Sequence, residues 1–466
     1  MPSATPVPEP VVVEKSAKIF QVGTLRYSLR GLAVLFAWLL WGDFAFCFFE
    51  NIFGRFIPLY LNDLNASNSL IGVMTGSIAG AVNILFLPGI SRWSDEYRSR
   101  WGRRIPFLAV ATPITVVSMI LMGFAPEIGT WFHSRIISQV APSISLTAVI
   151  LTLLCGFVVA FHYFNMVLCN AFNWLLRDVV PQEFMARFLS WFRIVSTVSS
   201  VAFSWYVFPY IISHRKEVCV GIGLFYLVTF LLMCLKVKEG EYPPPPPRSA
   251  NPPGIIKSFG LYFRDCLSVP LYRNYFITTM VGGITGCAGP FFLLFYRNTL
   301  GLSMEDLGKI FALGSIVTAA AYLPIGWLCD KFTPIRMAII GQTGMFIVAI
   351  LSFLFLNSKE ALIFFTVVGS PISVCWGLGS ATLTMKLFPV EKFGQLYAAT
   401  NIFGCGVGIV GNYAVGLFMD LMHSNFRMAY AWSALSGVAL IPLLLVYRDW
   451  KRHGGPNNYV APLPPG

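Results

Sequence analysis

Twelve stretches of this chain are long and apolar enough to cross a bilayer, and they decide what it can fold into before any single residue is weighed. A helix rises 1.5 Å per residue, so about 20 mainly apolar residues cover a hydrocarbon core of roughly 30 Å. The stretches run approximately 31–60, 68–91, 106–125, 143–176, 187–211, 217–236, 274–298, 304–329, 335–356, 360–386, 393–420 and 427–447. Lipid offers backbone groups no hydrogen-bond partners, so each stretch is predicted to be helical. The fold class is therefore an all-α membrane protein with twelve transmembrane helices. Composition agrees: 56% of the 466 residues are hydrophobic and only 12% charged, where soluble domains carry about 25%. A soluble enzyme and a disordered regulator are excluded. The net charge of +12 is dispersed between apolar runs, so it reads as membrane topology and not as a nucleic-acid surface. Seven of the cysteines (Cys47, Cys155, Cys169, Cys234, Cys287, Cys375 and Cys405) sit in apolar runs, with no C-x-x-C spacing. They read as packing residues, and neither a metal site nor a cofactor is expected. No clustered nucleophile and base, H-E-x-x-H or multi-histidine group points to an enzyme, and no repeated selectivity loop points to a channel.

Orientation follows from lysine and arginine. The side that receives both tails and the even-numbered loops carries about three times as many as the other, which predicts both termini in the cytoplasm. Residues 1–30 are polar, Pro-rich and then basic, with no early apolar core, and read as a cytoplasmic tail; 449–466 form a second. Between them, 31–236 and 274–448 read as two six-helix halves joined by a cytoplasmic linker, 237–273. The linker opens with Pro243 to Pro247, which favour an extended semi-rigid spacer, and Ile255–Leu267 is basic and amphipathic, suited to the inner membrane surface. The halves look like repeats. Gly89 and Asp95 after the second helix correspond to Gly326 and Asp330 after the eighth, and Pro181, Glu183 and Phe184 after the fourth correspond to Pro389, Glu391 and Phe393 after the tenth. Duplicated halves with a binding site near the midplane are a transporter architecture.

Ionisable side chains at membrane depth point to function by default. Asp43 lies about 12 residues, roughly 18 Å, into the first helix, close to the midplane. Glu50 follows seven residues later on the same face, nearer the outer edge where it can reach water. The alternative for Asp43 is a structural ion pair with an arginine. His162, Asn165, Cys169 and Asn173 form one stripe on the fourth helix. A histidine there suits proton exchange; its rival role is a hydrogen bond to substrate or to the first helix. Arg193 lies a turn or two inside the fifth helix, either snorkelling to the interface or pairing with Asp43 and holding substrate oxygens. The loop after the second helix offers Asp95, Arg98, Arg100, Arg103 and Arg104, and that after the eighth offers Asp330 and Lys331. A carboxylate at a helix end facing guanidinium groups can latch two helices on the closed side, to be broken when the halves rock.

On these residues the chain resembles the major facilitator superfamily, whose signature loops the two acidic and basic loops resemble. The run from Arg98 through Trp101, Gly102, Arg103 and Arg104 to Pro106 and Phe107 is similar to that of the glycoside–pentoside–hexuronide cation symporters and the related sucrose transporters. So are Trp41, Gly42, Asp43, Phe44 and Ala45 in the first helix, and Arg193 in the fifth. The resemblance implies the major facilitator fold and proton-coupled symport of a sugar or glycoside by alternating access across a cell membrane. Where that group carries paired carboxylates in the second helix this chain has Asn83 and Leu87, so no sodium dependence is expected; where sucrose transporters carry an aspartate in the fourth helix it has His162. An exporter of small hydrophobic compounds and a non-transporting sugar sensor are the alternatives. Expected partners are the small-molecule substrate, the proton and the lipid bilayer, with no nucleic acid.

Overall fold

The computed structural model describes residues 20–242, 264 and 266–463. Pro243 to Pro247 and most of the amphipathic segment 255–267 lie outside the described residues. Twelve long helices follow one another: α1 Leu29–Asp63, α2 Asn68–Glu96, α3 Ile105–Gly123, α4 Leu146–Val179, α5 Gln182–Ala202, α6 Arg215–Lys236, α7 Pro270–Thr299, α8 Met304–Phe332, α9 Pro334–Phe355, α10 Lys359–Leu387, α11 Phe393–Leu421 and α12 Met428–Arg452. The protein is an integral, multi-pass, all-α membrane protein. Eleven of these helices are long and apolar enough to cross a membrane. The exception is α5, which carries Arg187, Arg193 and a series of serines, and its polar character reports what it faces.

The sequence sets the helix starts. Ser28, Ser67, Ser145, Ser303 and Ser358 accept the backbone N–H three residues on, capping α1, α2, α4, α8 and α10. Proline in the first turn opens α3, α7 and α9, where its missing N–H costs nothing. A π-turn at Val73–Ser77 interrupts α2, and another at Phe203–Val207 extends α5. The amino-terminal tail is not wholly irregular: Phe20–Val22 and Leu25–Tyr27 form an antiparallel hairpin, a feature too short for periodicity to reveal.

Helices α1 to α6 pack among themselves, as do α7 to α12, and the two groups meet along three seams, α1 with α7, α2 with α11 and α5 with α8. The first group is held by an aromatic core in which Phe53 stacks on Phe161 at 4.3 Å and Phe49 on Tyr226 at 4.5 Å. The polar ties across the seams lie on the side away from the termini. Asp420 accepts the backbone N–H groups of Asn68 (2.8 Å) and Ser69 (2.9 Å), and Arg297 pairs with Asp63 at 2.8 Å. Close approach there requires glycine: a Cβ on Gly72 would sit 2.0 Å from the Asn412 carbonyl oxygen, and one on Gly416 2.4 Å from that of Asn68.

Candidate functional site

Where α1 and α5 lie side by side, polar residues recurring every four positions on each meet in register. Asp43 accepts from Ser196 Oγ at 2.9 Å, Asn51 Nδ2 donates to Ser200 Oγ at 3.1 Å, and Arg55 Nη1 donates to Ser204 Oγ at 2.6 Å. Cys47 Sγ lies 3.5 Å from Asp43 Oδ1. The spacing of four keeps each set on one helical face, so the two stripes zip together along the membrane normal. A cavity of about 390 Å³ opens beside this zipper, lined by Arg55, Arg193, Ser196 and Ser200 on one side and by Phe311, Ser315 and Tyr322 of α8 on the other. Phe208 meets Phe311 at the cavity's end near Arg55, on the side where the seams are tied.

The residues expected at the site divide among three places. Asp43 is fully buried within the zipper, and Arg193 lines the cavity. Their expected ion pair is not formed: among the described residues Arg193 lies within salt-bridge distance of no carboxylate, and Asp43 is held by Ser196 and Cys47 instead. A spacing argument places the two groups at similar depth but does not fix which rotamer each adopts. Glu50 and Asn165 come together between α1 and α4, with Asn165 Nδ2 donating to Glu50 Oε1 at 2.6 Å. Glu50 is half-buried there. His162 is buried away from the cavity, with its Nε2 2.9 Å from the carbonyl oxygen of Met74 and its ring edge-on to Phe53. The π-turn of α2 contains Met74, and the histidine meets a carbonyl within it. Its hydrogen bond goes to α2 and not to α1.

The loop after α2 forms a charge cluster. Arg104 is hydrogen-bonded to Asp95 and lies 3.4 Å from Asp178, and Arg103 forks onto Asp178 at 2.9 to 3.1 Å. Glu239, just beyond α6, accepts the N–H groups of Arg103, Arg104 and Ile105 at the start of α3. Tyr242 lies under Arg103 at 4.0 Å and donates to Glu239 at 2.9 Å. Burial pulls Arg103 down, but the bonds and charge of Asp178 hold it above its usual range; burial, Glu239 and Asp178 push the Tyr242 phenol up. Arg98 bonds the Asp95 and Tyr97 carbonyls, while Arg100 lies over Trp101. These contacts tie α2, α3, α4 and α6 within one group of helices and do not latch one group to the other. Asp330 is exposed and forms no ion pair among the described residues, while Lys331 lies over Trp327. The second loop therefore repeats the first in sequence but, among the described residues, not in contacts.

Sequence reasoning missed Arg55, Asp178, Glu239 and Asp420. Arg55 continues the four-residue series Asp43, Cys47 and Asn51, and that series was its signal. Among the described residues no group of three or more His, Cys, Asp or Glu gathers as a metal site would need.

Residues 39–412 match the Major Facilitator Superfamily. The chain belongs to that superfamily. No curated protein matches it. Among solved structures, the chain is similar to a bacterial homologue of the human lysosomal transporter Spinster in an inward-facing, unoccupied conformation (TM-score 0.63, 14% identity, covering 90% of this chain and 96% of that one). It is similar also to a bacterial homologue of the iron transporter ferroportin, inward-facing (0.63, 12%, 89% and 99%), and to a D-xylose–proton symporter (0.62, 12%, 90% and 98%). At such identity these likenesses speak for the fold. The protein is a membrane-embedded secondary transporter.

Proposed function

We propose that this major facilitator protein is a proton-coupled symporter of a sugar or glycoside, working by alternating access in the cell membrane with both termini in the cytoplasm. The observation that carries the reading is Asp43: a carboxyl group buried beside the cavity, bonded to the neighbouring helix and free of any ion pair. A carboxylate in a low-dielectric interior is costly unless a cation or a proton compensates it. Arg193 is the cation that a small movement would bring to it, and a proton is the alternative, so binding and release of a proton at Asp43 can be tied to the position of Arg193. The hydroxyls of Ser196, Thr197, Ser200, Ser315 and Thr318 suit a polyhydroxylated solute, and Tyr322 offers a ring for a sugar face.

In this reading the chain divides at 237–273 into two six-helix halves, 31–236 and 274–448, that rock about the cavity. Asp95, Arg98, Arg100, Arg103 and Arg104 keep the cytoplasmic face of the first half rigid, while Asp330 and Lys331 are left to engage only when that face closes. With cytoplasmic termini, the conformation described is inward-open. The test is uptake of a radiolabelled sugar panel into proteoliposomes under an imposed pH gradient. Accumulation that collapses with a protonophore is expected; accumulation indifferent to the gradient refutes the coupling, and failure of every sugar in the panel refutes the substrate class.

A further inference from the structure

Arg55 stands at the closed end of the cavity in surroundings that lack the group an arginine ordinarily seeks there. Its guanidinium carbon lies 5.5 Å from the ring centres of Phe203 and Phe208 and 5.0 Å from that of Phe311. Among the described residues its one hydrogen bond goes from Nη1 to Ser204. Of five N–H donors, then, one is used. None of its nitrogens is among the buried atoms left without a partner, so those not bonded to Ser204 open onto the cavity that Arg55 lines. No carboxylate pairs with it among the described residues. The acids of α1 point elsewhere. Asp43 is twelve residues earlier, about 18 Å down the helix axis, and Glu50, five residues earlier, is turned to Asn165 on α4. The other arginine on the cavity wall, Arg193, has no carboxylate within salt-bridge distance among the described residues, though its charge reaches Asp43.

We propose that Arg55 binds an anionic group, a carboxylate or a phosphate, on the transported solute. The three rings hold the guanidinium in place and thin the water around it, which strengthens a charge–charge contact. The planar fork of arginine fits two oxygens of a carboxylate or phosphate at once, and a neutral hydroxyl uses only part of it. Arg193, toward the open end, gives the entering anion a first cation. The hydroxyls between the two arginines face the uncharged remainder of the solute. This deepens the sugar reading and rests on it only for that remainder: the solute is then a sugar acid or a sugar phosphate. Phe311 belongs to α8, across the seam, so an anion on Arg55 also touches the junction where the two groups of helices part.

The test uses the full chain in proteoliposomes and measures binding and counterflow of matched probes: D-glucose against D-glucuronate, D-gluconate and glucose 6-phosphate, with benzoate and citrate as acids without a sugar. Wild type is expected to prefer an acidic probe to its neutral counterpart. Arg55→Gln should weaken that probe about 30-fold or more, with neutral probes unchanged. Arg55→Lys should fall between, having charge without the fork. Ser204→Ala, which removes a charge-assisted bond from Arg55 but keeps its charge and its fork, should weaken that probe less than Arg55→Gln does. If Arg55→Gln fails to fold, the preference of the wild type decides. Neutral sugar favoured over its acid, binding of the acids unchanged in Arg55→Gln, or no binding of any acidic probe overturns the assignment. Transport of D-glucose with all acids ignored overturns it while leaving the sugar reading intact. Arg55-dependent binding of benzoate or citrate alone supports it and overturns the sugar reading.

Discussion

At the scale of single residues, the same side chain supports different chemistry according to which neighbour it meets, and two substitutions separate the cases. Asp43→Asn keeps the bond from Ser196 to the remaining carbonyl oxygen but removes the proton site. It is expected to abolish accumulation driven by a pH gradient and to leave exchange of substrate across the membrane within a few-fold of wild type; gradient-driven accumulation at the wild-type level would remove Asp43 from coupling. His162 is the opposite case. Its bond to the Met74 carbonyl makes it a brace for the π-turn of α2. Loss of that bond in His162→Ala should cost about 1 kcal/mol, whereas His162→Gln can still donate. Melting in detergent should drop for Ala and largely recover for Gln, with the pH dependence of transport the same in both. A pH profile displaced in the Gln variant would restore the histidine as a proton carrier. Depth along α1 made Asp43 legible from the sequence, since 1.5 Å per residue needs no structure. Arg55 was as well marked by its spacing, yet counting charges by side of the membrane assigns it to the outer boundary, where its sign is unremarkable. Partners across helices, such as Ser196 for Asp43 or Met74 for His162, depend on which faces the fold brings together, and no spacing within one helix contains that.

At the scale of elements, the twelve helices were legible because the bilayer imposes both their length and their apolar character. The first helix read as 31–60 is Leu29–Asp63, and the eighth read as 304–329 is Met304–Phe332. The fifth shows the limit: the apolar run sets it at 187–211, whereas α5 begins at Gln182, because its polar first turns resemble loop. The charged loop after α2 was legible as a cluster but not in its wiring, since Asp178 and Glu239 reach it from the ends of α4 and α6. Its role is to fix how α3 enters the bundle. Glu239 satisfies three N–H groups that α3 leaves free at its start, and carries a negative charge there. Glu239→Ala should cost about 1 kcal/mol. Asp178→Asn should cost more, on the order of 3 kcal/mol, because it takes from Arg103 the carboxylate onto which it forks in a partly buried site, while Arg104 keeps Asp95. Thermal unfolding in detergent measures both. An Asp178→Asn protein as stable as wild type would mean that the arginines find other partners and that the cluster does not hold the bundle.

At the scale of the whole molecule, the three seams decide which side of the transporter is closed, and their ties are unequal. The joint of α1 with α7 is an ion pair, Asp63 with Arg297, at a partly exposed site, where such pairs contribute about 1 kcal/mol or less. The joint of α2 with α11 is of another kind. Asp420 crosses from one group of helices to cap the start of α2 in the other, accepting two backbone N–H groups and the Ser69 hydroxyl at 2.5 Å. That cap exists only while the seam is closed. A carboxylate at a helix start contributes about 0.5–2 kcal/mol, and all of it bears on the equilibrium between the two conformations instead of on folding. Asp420→Asn is therefore expected to raise the population open on that side several-fold to about tenfold, since 1.4 kcal/mol is a factor of ten. Gly72→Ala should act in the same direction and more strongly. Its Cβ would meet the Asn412 carbonyl oxygen at 2.0 Å, and backbone cannot yield as a flexible side chain does. Spin labels at Asn65→Cys and Asn425→Cys, in the loops flanking this seam, report the outcome as a longer-distance component growing at the expense of the short one. The two substitutions should leave melting in detergent far less affected than the distance distribution, because the heaviest helix packing lies within each group. Unchanged distances in both variants would show that the seam of α2 and α11 does not set the resting conformation, and would transfer that role to Ser204, Phe208 and Phe311 where α5 meets α8.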